Sequence, residues 1–171
     1  MSNLLLQQIE FQTEETSFGT WQRHLSVGGR YYAEFKSHRR VFGMPLVHYT
    51  HGRNPQTGGR TIAVGVVAVG RIAVGVFPVG QLAIGLCPVG QLSLGLILGI
   101  GQLATGVAAI GQVALGALFG AGQLATGYIA IGQLALGFYA LGQAGFGAHV
   151  LSMKVKDAAA RHFFRFLFGG R

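Results

Sequence analysis

The fold is decided by the run Thr61-Ile-Ala-Val-Gly65, Val66-Val-Ala-Val-Gly70, Arg71-Ile-Ala-Val-Gly75, Val76-Phe-Pro-Val-Gly80, Gln81-Leu-Ala-Ile-Gly85. Glycine returns every fifth residue, at 65, 70, 75, 80, 85, 90 and 95, then from 101 to 116 and from 122 to 147. The unit is glycine, a variable residue, a large apolar residue, a small one (Ala, Pro or Ser) and a branched apolar one. Internal repetition on this scale outranks any local reading of propensity. The spacing is wrong for collagen, which needs glycine at every third position. It is also wrong for helices: five residues advance roughly 140° beyond a full turn, so successive glycines scatter around a helix instead of lining a seam. Each interior glycine would cost a helix about 0.8–1.0 kcal/mol relative to alanine.

A strand-and-corner reading accounts for every position. Alternation places the third and fifth residues on one face, and their bulk predicts that this face is the inner one. Glycine is expected at the corners, where backbone angles closed to other residues are needed. The second residue is expected to face outward. The predicted fold is therefore all-β, a β-solenoid with stacked coils. The segment from Gly101 matches the segment from Gly122 at an offset of 21 residues, and the extra residues near Gly99 and Gly120 are also 21 apart. A four-sided coil of about twenty residues is the expectation, while a flat ten-residue coil fits the two insertions as well.

The coiled region resembles the pentapeptide-repeat proteins, which are right-handed quadrilateral β-helices. It departs from them in lacking a polar residue in every pentad, so the acidic, DNA-like surface known in that family is not implied. The segments Glu34-Phe-Lys-Ser37 and Phe42-Gly-Met-Pro-Leu-Val-His48, with the pentads after them, resemble uncharacterised bacterial glycine-rich pentad-repeat proteins over roughly residues 30–148. That likeness implies no established activity. The filament-forming bactofilins are similar in fold class only.

Charge is confined to the ends. The 171 residues carry a formal charge of +8 and only 11% charged residues, yet no Asp, Glu, Lys or Arg occurs from Ile72 to Met153. Such a stretch must be a membrane span, a buried core or a surface covered by another molecule. Glycine-rich transmembrane helices are the alternative to the solenoid, although no polar loop separates candidate spans. The start, Met1-Ser-Asn-Leu-Leu-Leu-Gln-Gln, lacks the pattern of a secretory signal, so a cytoplasmic location, peripheral to the inner membrane if membrane-bound, is expected.

Three parts follow from composition: a polar N-terminal cap over 1–58, the solenoid over 59–150 and a C-terminal capping helix over 151–171. In the solenoid the outward second position alternates in character. Gln81, Gln91, Gln102, Gln112, Gln123, Gln133 and Gln143, headed by Arg71, would form a polar ladder. Its amides would bond along the axis, or line a surface for a ligand or partner. Val66, Val76, Leu86, Leu96, Val107, Tyr128 and Phe138 occupy the intervening pentads, with Ala117 among them, and would form an apolar face. A continuous apolar band marks self-association or membrane contact unless a terminal segment folds over it. In the final helix Asp157 is the expected N-cap and Gly169 the stop. Its Phe163, Phe164, Phe166 and Phe168, beside Arg161 and Arg165, could close the last coil or anchor the chain on an anionic membrane.

No catalytic residue, cofactor or metal site is indicated. His48 and His51 lie three apart, with His24 and His38 upstream, but Cys87 is remote and a metal needs more ligands. Glycine-rich segments lack the Gly-Lys-Ser/Thr of a phosphate loop. Thr105 and Thr126 are too few for an ice-binding ladder. The expected function is a non-enzymatic scaffold that associates with itself, with a membrane surface as a further partner; a ligand or nucleic-acid binder acting through the basic caps is an alternative, nucleic acid being disfavoured because the solenoid surface is uncharged.

Overall fold

A computed structural model describes residues 10–25 and 29–169. The chain is a β-solenoid of about nine turns, mostly strand, with one short C-terminal helix. It begins as an antiparallel meander of β1 (Gln12–Glu15), β2 (Gly19–Leu25) and β3 (Tyr31–Ser37), and β3 then pairs with β6 (Val47–His51). Between β3 and β6 a two-residue hairpin, β4 (Arg40–Val41) and β5 (Met44–Pro45), turns through Phe42 and Gly43 at φ 51° and 77°. Positive φ at both turn residues matches the right-handed twist of the flanking strands.

At β6 the pairing changes from antiparallel to parallel. β7 (Ala63–Val69) lies beside β6, followed by β8 (Ile72–Gly85), β9 (Val89–Gly95), β10 (Leu98–Phe146) and β11 (His149–Leu151). One nine-stranded sheet thus runs from cap to last coil. The cap provides the first rung of the solenoid.

The coil is ten residues long, not twenty. Ala63 lies beside Ala73, Val69 beside Val79, Val79 beside Val89, and Tyr139 beside His149. The offset rises to eleven where the chain carries an extra residue, with Ile100 beside Val89 and Leu103 beside Leu92. Two pentads therefore make one turn, and the coil has two sides instead of four. The apolar stretch is strand, so transmembrane helices do not account for it, and no helix among the described residues is long and apolar enough to cross a membrane.

A ten-residue coil has a narrow interior, and this inverts the expected facing of the pentad. The fourth residue points inward: Ala63, Ala68, Ala73, Ala83, Ala104, Ala109, Ala114, Ala125, Ala130, Ala135 and Ala140 are wholly buried, as are Pro78, Pro88 and Ser93. The branched third and fifth residues flank it on the outside, half-buried or exposed. From the third to the fifth residue alternation with period two holds, but its phase is opposite to the one that side-chain bulk suggests. Ser93 Oγ donates to the Leu103 carbonyl at 3.4 Å, so its hydroxyl is satisfied inside the coil. Where the extra residue enters, Gly99 and Gly120 take over the inward position and are buried.

The corner glycines also have a different cause from the expected one. Most of them keep ordinary negative or extended φ angles. What excludes other residues is proximity: a Cβ on Gly75 would strike the carbonyl oxygen of Gly65 one coil earlier, and one on Gly111 would strike that of Gly101. The repeat of glycine records the closeness of successive coils.

At the far end, α1 (Ala158–Leu167) closes the solenoid. Asp157 caps it by accepting hydrogen bonds from the backbone N–H groups of Ala159 and Ala160 at 2.7 and 3.1 Å. The same bonds, led by that of Ala160, and then the His149 side chain hold the Asp157 carboxyl below its ordinary value. Gly169, at φ 71°, ends the helix in the left-handed region. Because the interior fits only small residues, enlarging one inward residue is expected to be costly. Ala109→Leu should lower stability by about 1–3 kcal/mol, whereas Gln112→Leu on the exposed edge should change it little. Urea unfolding of both variants checks this.

Candidate interaction surfaces

Ten residues per turn place all second-position residues on two opposite edges. One edge carries Arg71, Gln81, Gln91, Gln102, Gln112, Gln123, Gln133 and Gln143, and every one of them is exposed. No hydrogen bond joins these glutamine amides, so the expected amide ladder is not formed. Exposed amides exchange bonds with water at little cost, which removes the drive to bond along the axis.

The other edge carries Val66, Val76, Leu86, Leu96, Val107, Tyr128 and Phe138, with Ala117 in the same row. Its first three members are half-buried at the end where β5 contacts β7. Leu96 is 67% exposed, and both extra residues fall on this edge, where Ile97 and Leu118 (60% exposed) also project. The last members join an aromatic stack: Tyr128 on Phe138 at 5.0 Å, Phe138 against Tyr139 at 5.2 Å, and Tyr139 on Phe163 of α1 at 4.0 Å. Phe163 and Phe164 of the helix therefore turn toward the solenoid, with Phe164 and Ala160 buried. Phe166 and Phe168 point outward and are 80% and 64% exposed, and Arg161 is exposed one turn earlier. Arg165 lies on the same short helix. The helix covers only the end of the apolar edge, and no described segment lies over Leu96, Val107 or Leu118.

Both broad sides are apolar as well. The fifth-position row Val79, Val89, Ile100 and Ile110 on one side, and Ile84, Leu94, Leu115 and Leu136 on the other, is solvent-exposed. These rows were expected inside, and they enlarge the exposed apolar surface beyond the predicted edge.

Two polar features emerge that the residue pattern alone does not single out. The first is a buried cluster in the cap. Glu34 Oε1 accepts from His48 Nε2 at 3.0 Å and lies 2.8 Å from Lys36 Nζ, while Tyr32 Oη donates to Glu34 Oε2 at 2.7 Å. The Val64 N–H donates to His48 Nδ1 at 2.8 Å, which assigns the imidazole proton to Nε2. His48 thereby ties the cap to β7. The His48 bond, with those from Lys36 and Tyr32, pulls the Glu34 carboxyl down to about 2 against the opposing effect of burial. Burial, and then the adjacent carboxylate, push the Tyr32 hydroxyl up to about 12. His24, His38 and His51 lie elsewhere, and no group of three potential metal ligands forms among the described residues. The signal in the sequence was the alternation of Tyr32, Glu34 and Lys36 on one strand, but their partner His48 is brought in only by the fold.

The second is a cleft of about 900 Å³ between the Gly52–Arg60 loop and the first coils. Arg53 and Arg60 on the loop and Arg71 at the head of the glutamine edge are among the residues that line it. A concave site was not expected, because the loop and the ladder are eleven or more residues apart along the chain.

Compared with known proteins, the chain matches no family model, no curated protein and no solved structure. The functional reading therefore rests on these surfaces.

The Glu34 cluster should make the cap acid-sensitive. Its folded-state value lies below the ordinary 4.5, so its contribution is complete above pH 4.5 and is lost as pH falls toward about 2. The loss should approach about 3 kcal/mol, and Glu34→Gln should flatten this dependence while destabilising the cap at neutral pH. Trp21, packed 4.9 Å from Phe35, reports on the cap by fluorescence during thermal unfolding at each pH.

Proposed function

We propose that this protein is a non-enzymatic structural repeat protein that associates with copies of itself through its apolar edge and broad sides. The observation that carries this reading is the recurring exposure of branched and aromatic side chains along a solenoid without a charged residue from Ile72 to Met153. An exposed apolar band of many coils far exceeds the few hundred Å² that a monomer normally tolerates. Side-by-side packing of two flat solenoids would bury the rows Ile84, Leu94 and Leu115 against their equivalents without disturbing the alanine core. An isologous contact of this kind closes a dimer, whereas contacts through two different surfaces propagate into a filament.

Attachment to an anionic membrane through α1 is the second reading. It is favoured by Phe166 and Phe168, which face solvent on a helix that also carries Arg161 and follows Lys154 and Lys156. The helix is ten residues long, so it would act with the solenoid and not alone.

Leu96 and Leu118 are the most informative positions, because both project from bulges and neither contributes to the core. Leu96→Glu with Leu118→Glu should shift the protein to a smaller species in sedimentation velocity with an unchanged β-rich circular dichroism spectrum. Phe138 is less suitable, since its ring is part of the stack beneath α1. An unaltered sedimentation coefficient in the double variant would remove the edge from the interface.

A further inference from the structure

The cleft beside the Gly52–Arg60 loop combines a group of arginines, which the scaffold reading does not use, with an aliphatic floor drawn from one of the broad sides. Its lining includes three arginines and no carboxylate. The ion pairs of the described residues involve Arg23, Lys36, His48 and His149, and none involves Arg53, Arg60 or Arg71. The three are close enough to interact: partial desolvation, and then the charges of Arg71 and Arg53, lower the ordinary value of Arg60, which nevertheless stays charged at neutral pH. Gathering like charges opposes folding unless an anion joins them.

Position 71 sharpens the point. Every later member of that edge is glutamine, and the single arginine sits where the Arg53–Arg60 loop meets the first coils. An edge needing only polarity would have no cause for a cation at that rung.

The second feature is the floor. Val69, Val79, Val89 and Ile100 are neighbours on successive parallel strands and all face the cleft. At about 4.8 Å per strand they form an aliphatic track roughly 14 Å long. Gln81 and Gln91 border it. The floor is aliphatic, with Tyr49 and His51 the only rings at the cleft among the described residues, so the floor offers no stacking platform for successive bases. A volume of about 900 Å³ lies within the range of small-ligand sites.

We propose that this cleft binds an amphiphile with an anionic head, its phosphate or carboxylate held by Arg53, Arg60 and Arg71 and its hydrocarbon tail laid along Val79, Val89 and Ile100. Guanidinium forks suit such heads because they donate paired hydrogen bonds to two oxygens. The tail runs along the solenoid axis, where each coil supplies one aliphatic contact.

Calorimetric titration with monomeric dodecyl phosphate tests this, using butyl phosphate as a head without a tail and dodecyl maltoside as a tail without an anion. The Leu96→Glu/Leu118→Glu background removes association through the edge, and sedimentation velocity of each titrated sample separates binding from association through the broad sides. Dodecyl phosphate should bind at least about tenfold more tightly than either control, and Arg60→Gln/Arg71→Gln should weaken it about tenfold or more. Val89→Gln should weaken dodecyl phosphate and leave butyl phosphate unchanged. Circular dichroism confirms that each variant is folded. Sedimentation with phosphatidic acid vesicles separates the sources of the head group. Binding to both vesicles and monomer supports a site that accepts bilayer lipids, and binding to monomer alone supports a site for free amphiphiles. Vesicle binding without monomer binding overturns the cleft as the site. Equal binding of dodecyl maltoside, or unchanged affinity in the arginine variant, overturns it too, because adhesion to the apolar sides would then explain the result.

Discussion

The two sides of each coil approach so closely that only alanine, proline, serine or glycine fits between them. Most other features follow from this. Close approach within a coil selects the small fourth residue, and close approach between coils selects glycine at the corner. A core of alanine methyl groups buries little apolar area per residue, so it contributes modestly to stability at about 25 cal/mol per Å². The backbone ladder running through nine strands, and the contacts between like side chains on adjacent coils, must supply much of the rest. The branched residues have no interior to enter. Their exposure is a direct result of coil size and not a defect of packing.

The solenoid was legible in the sequence because glycine at a fixed spacing survives any uncertainty about individual residues. The helix cap at Asp157 and the stop at Gly169 were legible for the same kind of reason, since each depends on one residue and local geometry. Coil size was not. Twenty residues and ten residues give the same pentads and the same insertion spacing, and they differ only in which glycine sits above which. The facing of the pentad failed with it, because a four-sided coil has room for Leu and Ile and a two-sided one does not. Alanine then replaces leucine as the mark of the interior, against the usual inference from size.

The polar sites were hidden for another reason. Glu34 and His48 meet because β3 and β6 are neighbours in an antiparallel meander, and Lys36 reaches the same carboxylate from its own strand. Composition sees three unremarkable polar residues in a charged segment. Arg53 and Arg60 stand apart from the repeat for the same cause, and Arg71 reads as one more member of an outward row. Their convergence requires the parallel join of β6 to β7, which folds the loop back over the first coils.

Coil geometry also divides the molecule by chemistry. An uncharged solenoid can repeat without electrostatic penalty and can meet a copy of itself without matching charges, so it suits assembly and offers little selectivity. Selectivity has to come from places where the repeat is interrupted. The loop that interrupts the first turn brings three cations to an aliphatic track, and the helix that ends the last turn turns two phenylalanines inward and two outward. On the proposed reading, assembly falls to the repeated part and recognition to its ends, because only small side chains fit inside the narrow coil and no charged residue occurs from Ile72 to Met153.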